Sequence, residues 1–198
     1  MVQVSIIIPV FNKVDFTKRC LESIKKYTFE YPDYEIIIID NNSTDETKDF
    51  LNSLSDKNIK FIINQTNLGF AKACNQGAKC AKGKYLLFLN NDTLVLPGWL
   101  SKMYSIIEKD DNIGIVGCKL LYPDNTIQHS GVFFTFSTKI LRFIINNRKF
   151  EKHVLINAPY HLYEKHDNNL PPTNELKHLQ MVTGCLLYTS DAADEGLV

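Results

Sequence analysis

Over roughly the first 120 residues, short unbroken apolar runs alternate with longer stretches in which apolar positions recur every three or four residues. Val4 to Val10 (VSIIIPV) and Tyr34 to Asp40 (YEIIIID) are dense in β-branched residues without polar alternation, as in strands buried on both faces of a parallel sheet. Ile59 to Asn64 predicts a third strand, the apolar run Tyr85 to Leu89 within KYLLFLNNDT a fourth, and Ile113 to Lys119 (IGIVGCK) a fifth. From Asp15 the spacing turns helical, with Phe16, Cys20, Leu21 and Ile24 on one face and Lys18, Arg19, Lys25 and Lys26 on the other. Ser43 and Glu46 spell a capping box, S-x-x-E, that starts a helix running to about Leu54. Leu68, Gly69 and Phe70 lead into a helix holding Ala71, Ala73, Cys74, Cys80, Ala78 and Ala81 as core, with Gly83 as its C-terminal stop. Pro97 and Gly98 precede a further amphipathic helix, Trp99 to about Glu108. Strand and helix units in series imply right-handed crossovers, hence an α/β fold with a mostly parallel sheet flanked by helices on both sides.

After Tyr122 the regularity fades. Thr126 to Thr135 reads as one or two strands, and Lys139 to Ile145 is an apolar piece with Arg142, Arg148 and Lys149 about it. Asn157 to Asn174, polar and containing Pro159, Pro171 and Pro172, is expected to be a long loop. Gln180 to Tyr188 (QMVTGCLLY) predicts a last strand, whereas the final TSDAADEGLV has no core-forming pattern. The expected organisation is one domain over residues 1–188, divided at about residue 121, with 189–198 a non-native or disordered tail.

Composition narrows the classes. A chain of 198 residues with 44% hydrophobic content can bury one good core. Lys plus Arg and Asp plus Glu number 22 each, so there is no net field to draw nucleic acid or an acidic membrane. Five cysteines, an odd number with no CxxC pair, argue against a disulfide framework and a zinc site, and predict buried thiols in a reducing, cytoplasmic setting. Met1 leads straight into a strand-like run rather than a signal peptide, and no apolar run is long enough to span a bilayer.

The candidate chemistry lies where strands end. Pro9 to Asn12, Asp40 to Ser43 and Asn90 to Asp92 each follow a predicted strand, and in a parallel sheet such ends share one rim, where α/β sheets bind ligands. Asp40, as an acceptor-only carboxylate, suits a base N–H or a ribose hydroxyl. Asp92 suits a hard divalent cation, which at nucleotide sites combines one or two carboxylates with phosphate oxygens. Read singly, Asp40 is also a turn or cap former, Asp92-Thr93 a plain turn, Asn67 and Gly69 turn chemistry, and His129 a satisfied structural histidine. The first strand is followed by no G-x-G-x-x-G, which disfavours a dinucleotide oxidoreductase. Nor is PVFNKVD the glycine-rich basic loop that a nucleotidyltransferase needs.

As a set, SIIIPVFN (Ser5 to Asn12), IIIIDNNSTDET (Ile36 to Thr47), NLGFAKACNQGAKCAKGKYLLFLNNDT (Asn67 to Thr93) and, more loosely, VTGCLL (Val182 to Leu187) resemble the inverting glycosyltransferases of family 2, nucleotide-diphospho-sugar transferases of the GT-A fold. The resemblance implies a nucleotide-binding half over 1–121 and an incomplete acceptor half over 122–188. It implies that Pro9, Val10, Asn12, Asp40 and Asn42 line the donor pocket, with Asp40 holding the base. Asn67, Gly69, Phe70 and Asn75 then belong to the loop and helix flanking the nucleotide. Asn90, Asn91 and Asp92 stand at the metal motif, with Asp92 as ligand for Mg²⁺ or Mn²⁺. Apart from the resemblance, His129 is a candidate to face the sugar or pyrophosphate. The implied reaction is a single displacement from a UDP- or dTDP-sugar to a saccharide or lipid-linked saccharide of the cell surface. Phe133, Phe134 and Phe136, with the basic piece around Arg142, are candidates for contact with the inner membrane face, although such a stretch more often packs on its own domain.

Two departures stand out. Asn90 replaces the first Asp of the metal motif, a form similar to rhamnosyltransferase-like members. The acidic segment that supplies the family's acceptor-activating base does not follow Leu187, so the catalytic base is unassigned and the chain reads as a fragment. A nucleotide-sugar-binding module without turnover therefore stays open beside the transferase reading.

Overall fold

The first strands form on their apolar runs: β1 (Val4–Val10), β2 (Tyr34–Asp40), β3 (Ile59–Ile63) and β4 (Tyr85–Leu89). Between them lie α1 (Val14–Tyr27), α2 (Thr47–Ser53) and α3 (Phe70–Cys80), and after them α4 (Trp99–Ile107) and β5 (Ile115–Gly117). The computed structural model describes residues 2–28, 33–145, 148–161, 164–169 and 186–190, those of 132–161 and 186–190 through their backbone. They fall into two units, 1–117 with 184–198, and 118–183.

In the first unit the sheet order is β3-β2-β1-β4-β10-β5, where β10 is Leu186–Ser190. β1 pairs in parallel with β2 (Val10 opposite Asp40) and with β4 (Ile7 opposite Phe88), and β2 pairs in parallel with β3. β10 is antiparallel to both β4 and β5. The chain therefore steps outward from β1 to β3, then returns to place β4 on the other side of β1. That reversal opens a crevice beyond the carboxyl ends of β1 and β4.

All residues of β1 and β4 are buried, and all of β2 after Tyr34, as the unbroken apolar runs require. Ile7, Leu86 and Phe88 pack with Cys74 of α3, while Ile37 and Ile39 pack with Ala73. Each such isoleucine contributes roughly 1.5–3 kcal/mol of burial. Contact this close needs a small residue on the helix: a Cβ on Gly77 would stand 2.5 Å from Ile7 Cγ2. Alternate positions such as Ile6 and Ile8 face the opposite side.

Several local expectations are corrected. Phe16 is 44% exposed, and Thr17 takes its place on the buried face of α1. β3 forms where expected, over Ile59–Ile63, and as the sheet's edge it is only half-buried, with Ile63 exposed. Cys20 and Cys74 are buried thiols, but Cys80 is exposed at the end of α3 and Cys118 is half-buried; Ala71 is also exposed. Gly83 does not end α3, which stops at Cys80 on an extended Ala81. Gly83 is small because β1 passes against it, a Cβ there lying 2.5 Å from the Ser5 amide nitrogen. The fifth strand is shorter than its apolar run. The last strand reaches Ser190, and its predicted start at 180–185 lies outside the described residues, as does the tail from 191.

In the second unit, β6 (Leu120–Leu121) pairs with β7 (Ile127–His129), and β8 (Val132–Ile145) pairs with β9 (Arg148–His161) in a long antiparallel hairpin. Asn157 to His161 thus belong to a strand rather than a loop, and Asp167 makes an isolated bridge with Thr126. The polar stretch misled because strand pairing satisfies the backbone whatever the side chains are. Among the described residues no helix is long and apolar enough to cross a membrane.

Candidate functional site

The carboxyl rim of β1, β2 and β4 is built from side chains that tie the strand ends to one another. Asp40 closes β2 and is fully buried. The Ser43 amide donates to both of its carboxylate oxygens, at 3.1 and 3.3 Å, and the Ser43 hydroxyl donates to Oδ1. Ser43 Oγ in turn accepts the Asn12 amide at 2.7 Å, and Asn12 Oδ1 accepts the Thr44 amide at 2.7 Å. Asn12, Lys13 and Asn42 all hold left-handed backbones, with φ of 57°, 62° and 66°, so both turns fold back over the strand ends. Asparagine tolerates that region better than most residues. The predicted capping box therefore does not form. A buried carboxylate must be hydrogen-bonded, and Ser43 is drawn to Asp40 instead of the helix.

Asp45 does the capping. Its Oδ2 accepts the Val14 amide at 3.1 Å, at the start of α1, and its Oδ1 accepts the Thr47 amide at 3.1 Å, at the start of α2. Burial pushes the Asp45 carboxyl up, but the Thr47 hydroxyl and these amides outweigh it and leave the group below the ordinary carboxylate range.

Beyond β3, Asn64 and Gln76 exchange two amide hydrogen bonds of 2.9 Å. Asn64 also donates to Asn41 at 3.0 Å, and Asn41 donates to the Gly69 carbonyl at 3.2 Å. Asn67 Oδ1 accepts the Gly69 amide at 2.8 Å, and Gly69 has φ 82°, a conformation that favours glycine. These contacts fix the entry to α3, where Phe70 is 50% exposed; Asn75 lies half-buried on the same helix.

Across β1, Asn90 and Asn91 continue β4. Asn91 Nδ2 donates to Thr17 Oγ1 at 3.1 Å, and the Cys20 thiol reaches the Asn90 carbonyl at 3.8 Å. Burial first, and then the charge of Asp92, push the Cys20 thiol up to about 12. Asp92 itself is exposed, and no hydrogen bond or ion pair engages its carboxylate among the described residues. The group fits a hard cation that takes one carboxylate and fills its other positions with phosphate oxygens and water. No cluster of three or more His, Cys, Asp or Glu forms among the described residues, so the protein would supply one carboxylate rather than a closed cage.

One unit thus gathers Pro9, Val10, Asn12, Asp40, Asn42, Asn67, Gly69, Phe70, Asn75, Asn90, Asn91 and Asp92 at one end of its sheet and the neighbouring helix start. β2, which ends on Asp40, and β4, which leads into the Asn90 to Asp92 turn, are separated by β1 alone, two strand spacings or about 10 Å. His129 belongs to the second unit, buried on β7 opposite Leu120. At the sequence level Phe11, 49% exposed directly after β1, was not named within its strand-end stretch, Ser43 was read as a helix cap, and the network residues Thr17 and Asp45 were missed. An aromatic between a buried strand and a left-handed Asn was a readable signal; the hydroxyl contacts across 31 and 74 residues were not.

A mostly parallel sheet with this order and this rim is that of the GT-A class of nucleotide-diphospho-sugar transferase folds. The model of Glycosyl transferase family 2 matches residues 5–168, and the chain belongs to that family. It is 37% identical over 132 residues to the O-antigen biosynthesis protein RfbC of Myxococcus xanthus, covering 66% of this chain and 10% of that protein. It is 35% identical over 113 residues to the poly(ribitol-phosphate) beta-glucosyltransferase of Bacillus spizizenii, covering 56% and 18%. Among solved structures, S. aureus TarS 1-349 in complex with UDP-GlcNAc superposes with TM-score 0.50 at 28% identity, over 54% of this chain and 31% of that one. The mannosyltransferase PcManGT of Pyrobaculum calidifontis, solved with GDP-Man and Mn²⁺, shares the fold with TM-score 0.54 at 22% identity, over 62% and 36%. The chain spans well under half the length of each of these proteins.

Proposed function

We propose that this chain carries the donor-binding part of an inverting glycosyltransferase that moves a sugar from a UDP- or dTDP-sugar to a saccharide acceptor in cell-surface polysaccharide synthesis. The observation that supports it is an exposed, unengaged Asp92 just past β4, set against the buried Asp40 that closes β2, with β1 between the two strands at the strand-order reversal. That arrangement suits a nucleotide lying with its base at β2 and its diphosphate at β4. The family and the relatives in O-antigen and poly(ribitol-phosphate) synthesis support the same class of product.

In this reading, Asp40 accepts from the base while Ser43 and Asn12 hold it in place. Phe11 and Phe70 offer exposed aromatic faces beside the nucleoside, and Asn67 and Gly69 shape the loop beside it. Asn42 and Asn75 complete the nucleoside side. Asp92 holds Mg²⁺ or Mn²⁺, which when bound offsets the negative charge of the departing diphosphate. The acceptor hydroxyl attacks the anomeric carbon from the face opposite the diphosphate, so configuration inverts. Its proton goes to a carboxylate that this reading places in none of the described residues. The work is cytoplasmic, where nucleotide sugars are made, at the inner membrane face if the acceptor is lipid-linked.

Calorimetric titration of UDP and dTDP into the chain, with and without Mn²⁺, tests the reading. Mn²⁺ is expected to strengthen binding by about tenfold or more, some 1.4 kcal/mol, and Asp92→Ala to abolish that gain. A folded sample that binds neither nucleotide would sink the proposal.

A further inference from the structure

The metal-side turn does not stand by itself. Thr17, Cys20 and Ser23 recur at three-residue spacing on α1 and so form one stripe along the helix. Each meets a different point of the segment around Asp92. Thr17 Oγ1 accepts the Asn91 side-chain amide at 3.1 Å, the Cys20 thiol reaches the Asn90 carbonyl at 3.8 Å, and Ser23 Oγ accepts the Val95 amide at 3.2 Å. The Ser23 hydroxyl proton is committed to the Cys20 carbonyl at 2.7 Å, which leaves its oxygen lone pair for Val95. Within the turn, the Thr93 amide closes on the Asn90 carbonyl at 3.2 Å. The residues on either side of Asp92 are therefore tied down while its own carboxylate faces solvent.

The other end of the helix reaches the opposite side of the crevice, because the Val14 amide is held by Asp45, just past the Asp40 turn. One rigid element thus spans from the base side to the metal side of the site.

Resting on the reading of Asp92 as a metal ligand, we infer that α1 acts as the template for the metal-side turn, with Thr17 and Ser23 as positioning residues for the Asp92 carboxylate. The need for a template follows from the ligand count. With Asn90 where a second acid would stand, one carboxylate would supply the protein's charge to a bound cation, and its direction would decide how well it meets the ion.

The test uses the whole chain with Thr17→Val, which keeps volume and removes the acceptor, Thr17→Ser, which restores it, and Ser23→Ala. Affinity for UDP and dTDP is measured with and without Mn²⁺, alongside thermal melting. Thr17→Val and Ser23→Ala are expected to lower the Mn²⁺-supported affinity about tenfold, as loss of a metal ligand's supporting partner does, and to leave the metal-free affinity unchanged. Thr17→Ser restores the wild-type value. Equal losses with and without Mn²⁺, or no loss, would overturn the inference and leave these contacts as packing alone. If Thr17→Val does not fold, the half-buried Ser23→Ala decides. An unsubstituted chain whose binding ignores Mn²⁺ overturns the metal reading of Asp92 first, and so the two failures are distinguished.

Discussion

Asp45 starts two helices with one side chain, giving one carboxylate oxygen to the first amide of α1 and the other to that of α2. Capping residues are each worth about 0.5–2 kcal/mol, so Asp45→Ala is expected to cost about 2 kcal/mol in urea unfolding. Asp45→Asn, which keeps one carbonyl acceptor, should fall between that variant and wild type; equal midpoints for all three would refute the double cap. The sequence pointed to a cap in this stretch but to the wrong residue. Ser43 and Glu46 have the capping-box spacing, and only the burial of Asp40 makes Ser43 turn backward. Burial of a carboxylate outweighs a surface cap because the unsatisfied charge costs several kcal/mol against about one. No local pattern reports that burial, since it depends on three strands arriving at the same rim.

Strands and helices were more legible than the contacts between them. Runs such as SIIIPV and EIIIID admit only a doubly covered strand, and α1, α3 and α4 sit where the helical spacing put them. Their order was not legible. That β4 returns beside β1, and that β10 enters antiparallel between β4 and β5 from nearly 70 residues downstream of the latter, reflects long-range pairing without a local signature. Gly83 shows the same limit. A glycine after a helix suggests a C-cap, yet this one is required by the approach of β1: its Cβ would stand 2.5 Å from the Ser5 nitrogen and 2.7 Å from the Val4 carbonyl carbon. Backbone cannot rotate aside as a side chain can. Gly83→Ala is therefore expected to destabilise by about 2–3 kcal/mol, at the upper end of overpacking, and to weaken protection of the Lys82 and Gly83 amides in hydrogen exchange. A loss of a few tenths would mean that the α3 to β4 turn yields easily.

The molecule's two sheet ends divide the work. The carboxyl end holds the proposed donor crevice, whereas the amino ends of β1 and β2 and the turn before β4 are clamped by the buried Glu35. Its carboxylate accepts from Ser5 Oγ at 2.8 Å, Lys60 Nζ at 2.7 Å and the Lys82 amide at 2.7 Å, and Ser5 Oγ accepts the Gly83 amide at 2.9 Å. Burial pushes Glu35 up, but the bonds from Lys60, Ser5 and Lys82 outweigh it and hold the group below its ordinary value of 4.5. A carboxylate whose folded pKa is depressed binds its proton more readily in the unfolded chain, so the unfolded state takes up protons first as pH falls. The stabilisation is complete above the unfolded value and is lost as pH drops through the folded one. Urea unfolding of wild type and Glu35→Gln from pH 7 to pH 3 should thus show the widest gap at neutral pH and a narrowing gap below about 4.5, because glutamine has no proton to gain. A constant gap would place the acid sensitivity of the sheet elsewhere. The clamp lies a full strand length from Asp40 and Asp92. Nucleotide affinity per folded molecule in the Glu35→Gln chain at neutral pH is accordingly expected to match wild type, separating what holds the sheet together from what binds the donor.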